Sequence, residues 1–283
     1  MQELEVYQSL WGMEQRHPDR PEPTIEENFS RAEQAGYAGI CLDPAVNEID
    51  ESLALKPLFE QYNMGCMVNA FPAKVKELKP LLAMAKELGA SAVNVIGGVM
   101  PVSVAGAIPV LYRWMEYADQ VGIPLLIETH RDSILNDLYS TLEIIDAIPE
   151  LRLCADLSHF VVDREFKLPM SHRDQGFIHR VLERSDCLQG RVASREQIQI
   201  QIDFPQHQEW VSIFKDWWRQ GLLLWRQRNP NDATFRFLCE LGPPSYAITD
   251  AGGYELSDRW QEALTIKSWI ESIWSDLNDE FEV

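Results

Sequence analysis

Eight short apolar runs alternate with eight longer amphipathic segments, and this rhythm constrains the fold more than any other feature of the chain. The apolar runs lie at 4–10, 39–42, 65–70, 92–96, 124–128, 151–155, 187–192 and 234–240. Helical spacing of apolar residues marks 25–35, 51–62, 74–88, 104–121, 135–147, 173–184, 207–227 and 256–275. Strands that each return through a helix run parallel, because only a crossover brings the chain back to the same edge. Three junctions share one grammar of helix, Gly at the C-terminal cap, then strand: Gln-Ala-Gly36-Tyr, Glu-Leu-Gly89-Ala and Gln-Val-Gly122-Ile. Eight such units in 283 residues predict an α/β protein closed into a single (β/α)8 TIM barrel. An open doubly wound sheet is the alternative, but the G-x-G-x-x-G turn usual after its first strand is absent from the sequence. No linker or low-complexity stretch divides the chain, so one domain over 1–283 is expected.

Charge and cysteine usage narrow the function. With 25 Lys and Arg against 44 Asp and Glu the net charge is −19, which repels phosphate backbones and disfavours a nucleic-acid partner. A local Arg or a metal can still hold a small anion. No apolar run reaches membrane-spanning length, and Met1-Gln-Glu-Leu-Glu-Val lacks the features of a signal peptide, so a cytoplasmic protein is expected. Five scattered cysteines (41, 66, 154, 187, 239) read as reduced, buried residues.

In a parallel barrel the chemistry sits where the strands end. The fifth apolar run ends Leu-Leu-Ile-Glu128-Thr-His130-Arg131, the sixth Leu-Cys-Ala-Asp156-Leu-Ser-His159, the seventh Cys-Leu-Gln189-Gly-Arg191 and the eighth Phe-Leu-Cys-Glu240. Three carboxylates delivered to one rim repel one another unless a cation offsets them. Carboxylate and amide oxygens suit Mg2+ or Mn2+. Asp156 also reads as a helix N-cap, since Asp before a turn commonly caps. Arg191 and Arg195 are candidates to clamp a carboxylate or phosphate, or are plain ion-pair residues. His130, two residues past Glu128, points the same way in an extended strand, as a substrate contact or a structural histidine. His207 follows a long segment from Ser194 able to cover the site, although a loop histidine is more often merely solvated. Glu14 and His17, after the first run, carry a weaker signal of the same kind. Trp210, Trp217, Trp218 and Trp225 recur about every two turns. That is the pattern of a helix packed on the barrel, with Trp210 also a candidate sugar-stacking surface.

The segments Ile-Glu128-Thr-His-Arg, Ala-Asp156-Leu-Ser-His159 and Cys-Glu240-Leu-Gly-Pro resemble the sugar phosphate isomerase/epimerase superfamily, the xylose isomerase-like TIM barrels. The likeness is specific over 123–160 and 186–258. It implies a divalent metal held by Glu128, Asp156, position 189 and Glu240, and a substrate-oxygen ligand or proton donor in His159. The superfamily often has His-x-Arg or His-x-Lys on the seventh strand, where this chain has Gln189-Gly-Arg191. An amide oxygen binds borderline metals more weakly than imidazole, so Mg2+ or Mn2+ is favoured over Zn2+. The missing His/Asp ligands of a three-metal site argue against DNA repair of the endonuclease IV kind.

The resemblance implies a sugar or sugar-phosphate isomerase or epimerase. Glu128 and Glu240 would exchange a proton beside a metal-chelated carbonyl, and His159 would steady a substrate oxygen. Hydride shift remains open. Two other classes are a metal-assisted hydrolase or dehydratase on the same barrel, and a non-catalytic sugar-binding protein whose metal site has decayed. A small sugar derivative is the expected partner, and a homo-oligomer is compatible with this reading.

Overall fold

The structure is a computed structural model describing residues 1–281. Its elements, in chain order, begin with β1 (Glu3–Ser9), α1 (Ile25–Gln34), β2 (Gly39–Leu42), α2 (Ile49–Leu53), α3 (Lys56–Gln61) and β3 (Gly65–Ala70). Next come α4 (Leu78–Glu87), β4 (Val93–Val95), α5 (Val104–Val121), β5 (Leu125–Glu128), α6 (Leu138–Ala147) and β6 (Leu153–Ala155). The last third holds α7 (Leu157–Asp163), α8 (His172–Leu182), β7 (Ser185–Gln189), α9 (Gln208–Arg228), β8 (Thr234–Cys239) and α10 (Arg259–Phe281). The eight strands close into a parallel barrel in sequence order, with β8 pairing back onto β1. This is the expected (β/α)8 TIM barrel.

Local chemistry sets the element ends. Thr24 and Glu27 form a reciprocal capping box at α1, and Ser103, Asp137 and Ser171 each accept a backbone N–H at the start of α5, α6 and α8. Gly36, Gly89 and Gly122 all adopt φ near +70°, the left-handed conformation that stops a helix at no steric cost. The single helix expected over 51–62 is two short helices, α2 and α3, because Pro57 in the first turn of α3 cannot continue the hydrogen-bond ladder of α2. The seventh strand is Ser185–Gln189 rather than 187–192. Its pairing with β8 ends at Gln189↔Leu238, where Gly190 passes so close to Ile266 and Phe237 that a Cβ would overlap them. Helix α7 has no counterpart among the predicted segments. It starts from Asp156, whose side chain accepts the Ser158 N–H, so the N-cap reading of this residue holds.

The barrel interior explains why a polar site forms at its mouth. One residue from each strand, or from just before it, builds a closed apolar layer: Tyr7, Cys41, Met67, Ala92, Leu126, Cys154, Cys187 and Leu238. Strand side chains alternate with period two. Two residues further on, therefore, the inward positions are Ser9, Asp43, Asn69, Asn94, Glu128, Asp156, Gln189 and Glu240, every one of them polar. The intervening residues, such as Val6, Val68, Val93, Ile127 and Phe237, pack outward against the helices. All five cysteines are buried and reduced.

Candidate active site

The polar layer is a hydrogen-bonded network around a buried guanidinium. Arg191 keeps the inward direction of Gln189 two residues earlier, and its side chain is 2% exposed. Its Nη1 donates to Asp156 Oδ2 at 2.7 Å, its Nη2 lies 3.4 Å from Glu240 Oε2, and its Nε donates to the Glu240 carbonyl at 3.0 Å. Asp156 Oδ1 is taken by the Ser158 N–H at 3.0 Å and hydroxyl at 2.5 Å. Glu128 Oε2 accepts from Gln189 Nε2 at 2.7 Å and from Asn94 Nδ2. Asn94 also donates to Asn69 Oδ1 at 2.9 Å. Asn69 in turn donates to Asp43 Oδ1 at 2.9 Å, with Glu240 Oε1 at 3.4 Å. The two asparagines, side by side in the β3–β4 register, thus tie Glu128 to Glu240 and Asp43.

The electrostatics follow from burial and crowding. Burial first, then repulsion from Glu240 and Asp156, raises the Glu128 pKa well above the ordinary carboxylate range, against the opposing pull of Asn94 and Arg191. Burial raises Glu240 to about 8; Arg191 moderates this, while Asp43 and Asp156 add to it. Asp43 is raised to about 6 by burial, with Asn69 and the Trp11 backbone opposing. Burial lowers His130 to about 4 and His159 well below its ordinary value, and Arg191 and Arg131 push both the same way. Both imidazoles are therefore neutral at pH 7. Their rings lie 4.1 Å apart, and both nitrogens of His159 are buried without a hydrogen-bond partner.

A cavity of about 520 Å3 opens above this network. Glu128, His130, Arg191, Glu240 and Asp43 line its floor and side, and Trp11, Phe71, Ile96 and Tyr246 form an apolar wall. Trp11 and Tyr246 meet edge to face at 5.3 Å, and Tyr246 also stacks on the Arg191 guanidinium at 5.0 Å.

The donor set suits a hard divalent cation. One oxygen each of Glu128, Asp156 and Glu240 lies within 4.8 Å of the others. Gln189 Oε1 is buried without a partner, and so is an oxygen available to a cation. Three carboxylates against one guanidinium leave two negative charges, which two protons or one dication would balance. Glu128, His130 and His159 form a second group with the same spacing, sharing Glu128.

Of the residues singled out from sequence, Glu128, Asp156, Gln189, Glu240, His130, His159 and Arg191 come together here. Five lie elsewhere. Arg195 is part-exposed and pairs with Glu165 at 2.9 Å and Glu196 at 3.5 Å, because the chain beyond Arg191 has left the barrel axis. His207 stacks on Phe204 and bonds the Gln201 carbonyl at 2.6 Å through Nδ1, closing its own turn rather than covering the cavity. Trp210 is buried in the apolar layer of α9, so the packing reading holds and the stacking surface does not. Glu14 and His17 are held by Arg16 and Tyr254 and do not line this cavity. Sequence reasoning missed Asp43, Asn69 and Asn94. The signal was available, since each stands two residues beyond an inward apolar position, as Glu128 does.

Comparison with known proteins agrees with the fold. A family model described as xylose isomerase-like TIM barrel matches residues 29–182. Among curated proteins none matches the chain. Solved structures resemble it along nearly its full length. An L-ribulose 3-epimerase is 14% identical with TM-score 0.63, covering 98% of this chain and 96% of its own. A D-allulose 3-epimerase from Methylomonas sp., in complex with D-allulose, is 14% identical with TM-score 0.61, covering 95% of this chain and 97% of its own. A xylose isomerase-like TIM barrel protein from Mycobacterium smegmatis, in complex with magnesium, is 14% identical with TM-score 0.58, covering 95% and 97%. At these identities the likeness establishes the fold.

Proposed function

Because the chain belongs to the xylose isomerase-like TIM barrel family, we propose that it is a sugar isomerase or epimerase that moves a proton beside a substrate carbonyl. The observation that carries this reading is the pairing of Glu128 and Glu240 at the cavity floor, both with proton affinities raised by burial. Two interacting carboxylates of raised proton affinity can divide the work, one taking a proton while the other returns one. Glu128, Asp156, Gln189 and Glu240 are the residues that would hold a divalent cation, with Mg2+ or Mn2+ the best match to oxygen donors. When bound, that ion would polarise the substrate carbonyl and stabilise enediolate charge.

The chain's own groups do the rest. Arg191 holds Asp156 and Glu240 in register and keeps one fixed positive charge beside the reacting carbon. Gln189 and Asn94 both donate to Glu128 Oε2, leaving Oε1 as the oxygen for proton transfer or coordination. His130, neutral and lining the cavity, would contact a substrate oxygen as a hydrogen-bond partner rather than as a charged acid, while His159 packs behind it with Nε2 3.4 Å from Asp156 Oδ2. The apolar wall of Trp11, Phe71 and Tyr246 would exclude water from the carbanion face.

A metal-free sugar-binding protein is a second reading, favoured by one observation: Arg191 already pairs with two of the three carboxylates. Metal analysis of the purified protein separates the two. The catalytic reading is tested by incubating the protein and Mn2+ with D-allulose, L-ribulose and other ketoses in deuterated water. Deuterium should enter at a carbon next to the carbonyl, and Glu128→Gln and Glu240→Gln should each slow the exchange by about 10²-fold or more. A metal-loaded, folded protein that exchanges no ketose proton would end the isomerase reading.

A further inference from the structure

We propose that Asp43 is a specificity-determining residue that accepts a substrate hydroxyl, so that the cavity takes an unphosphorylated polyol chain and rejects a sugar phosphate. The inference rests on the sugar reading above and deepens it. Asp43 ends the second inward row of the barrel and lines the cavity with Glu240 and Glu128. Asn69 holds its Oδ1 at 2.9 Å, which fixes the carboxylate plane; the Trp11 backbone N–H also faces the carboxylate, but Oδ2 is shielded and receives no well-formed hydrogen bond. A shielded carboxylate oxygen without a donor is costly, and a ligand hydroxyl is the donor that a sugar cavity would supply. The same Asn69 nitrogen reaches Glu240 Oε1 at 3.4 Å, so Asp43 stands one amide away from a proposed proton-transfer group.

The charge around Asp43 decides against a phosphate. Glu48 lines the same cavity and spends one oxygen on the Ala45 N–H. An adjoining cavity of about 550 Å3 shares Trp11, Asp43 and Glu48 and adds Glu14, Glu22 and Glu51 to its lining. Among the described residues, no lysine lines either cavity, and Arg191, the one lining arginine, is committed to Asp156 and Glu240. Arg131, exposed and stacked over Tyr246 at 5.5 Å, lines neither. A phosphate dianion extending past Asp43 would meet Glu48 and Glu51 and, among the described residues, no lining cation free to pair with it, whereas hydroxyls would meet acceptors.

The test is binding, measured by calorimetry or saturation-transfer NMR on the Mn2+-loaded protein. The probes are D-fructose against D-fructose 6-phosphate, and D-ribulose against D-ribulose 5-phosphate. Each free ketose should bind at least about tenfold more tightly than its phosphate ester. Asp43→Leu should weaken the free ketose by about tenfold or more, the scale for a hydrogen bond to a charged group. Asp43→Asn, which keeps the shape and the Asn69 contact region, should lose less affinity and narrow the gap to the ester. An ester that binds as well as its ketose, a free ketose unaffected by Asp43→Leu in a folded variant, or no binding of either ketose overturns the proposal. Solvent exchange is scored separately. Ketoses that bind through Asp43 yet exchange no proton would sink the isomerase reading while leaving this assignment standing.

Discussion

Arg191 Nη1 meets Asp156 Oδ2 at 2.7 Å with the two side chains 2% and 0% exposed, and the same guanidinium reaches Glu240. A fixed cation is thus built into the carboxylate cluster. The carboxylates in turn hold Arg191 protonated against its own burial, so its pKa is raised rather than lowered. Removing one partner of such a group strands the other charge without solvent.

Arg191→Met should therefore destabilise the fold by about 3–5 kcal/mol at neutral pH. Arg191→Lys keeps the charge but cannot span both carboxylates, and should recover only part of the loss. Urea denaturation of the three metal-free proteins measures this. A Met variant as stable as wild type would mean that the pair carries no net weight in the fold.

Glu240→Gln separates catalysis from structure. The folded pKa of Glu240, about 8, exceeds its ordinary 4.5. A raised carboxylate pKa means that the fold binds the proton more tightly, so stability is retained at low pH and lost as pH climbs through about 8. The metal-free variant should match wild type near pH ~4.5 and become the more stable of the two towards pH ~8. Exchange of the substrate C–H should fall by about 10²-fold or more. Melting curves across that pH range decide the first claim, and a destabilised but fully active variant would remove Glu240 from the chemistry.

Metal binding should be visible as proton release. Burial raises the proton affinity of Glu128 and Glu240, so a cation that ligates them competes with protons. Adding Mn2+ at pH ~7 in weak buffer should bind one equivalent and release protons, fewer from Glu240→Gln than from wild type. Gln189→His should tighten Mn2+ or Zn2+ by about 1–3 kcal/mol if position 189 faces the ion. Calorimetry in buffers of different ionisation enthalpy reads both; identical affinities would take position 189 out of the ligand set.

Glu262 offers a pH test away from the cavity. It is buried, accepts the Ile202 N–H at 3.0 Å, and burial raises its pKa to about 7. Its contribution to stability is intact below about 4.5 and is lost as pH rises through about 7. Glu262→Gln should be neutral near pH ~5 and stabilising by on the order of 1–3 kcal/mol at pH ~8, with ketose exchange unchanged. Equal stability of the two proteins at pH ~8 would show that the buried carboxyl is relieved by some local adjustment.

Much of the site was legible because strand periodicity is a local property. Glu128, Asp156, Gln189 and Glu240 each end an apolar run, and the run itself says that the next inward side chain stands at the barrel mouth. The same rule applied to the first four strands would have picked out Ser9, Asp43, Asn69 and Asn94. It was less visible there because Asn and Ser at a strand end also read as ordinary turn residues. Arg195, His207 and Trp210 lie near the rim in sequence, but proximity fails once the chain leaves the strand. Arg195 turns to Glu165, His207 folds onto its own loop, and Trp210 joins the apolar face of α9.

The sequence by itself determined the barrel and the polarity of its mouth, because alternation, capping and glycine stops act over a few residues. Only the tertiary structure decided that Arg191 would neutralise Asp156 and Glu240 from within, that two asparagines would join Glu128 to Asp43, and that Asp43 would keep a free oxygen. Those relationships join strands far apart in the chain, and they exist only once closure of the barrel brings every strand end to a common axis.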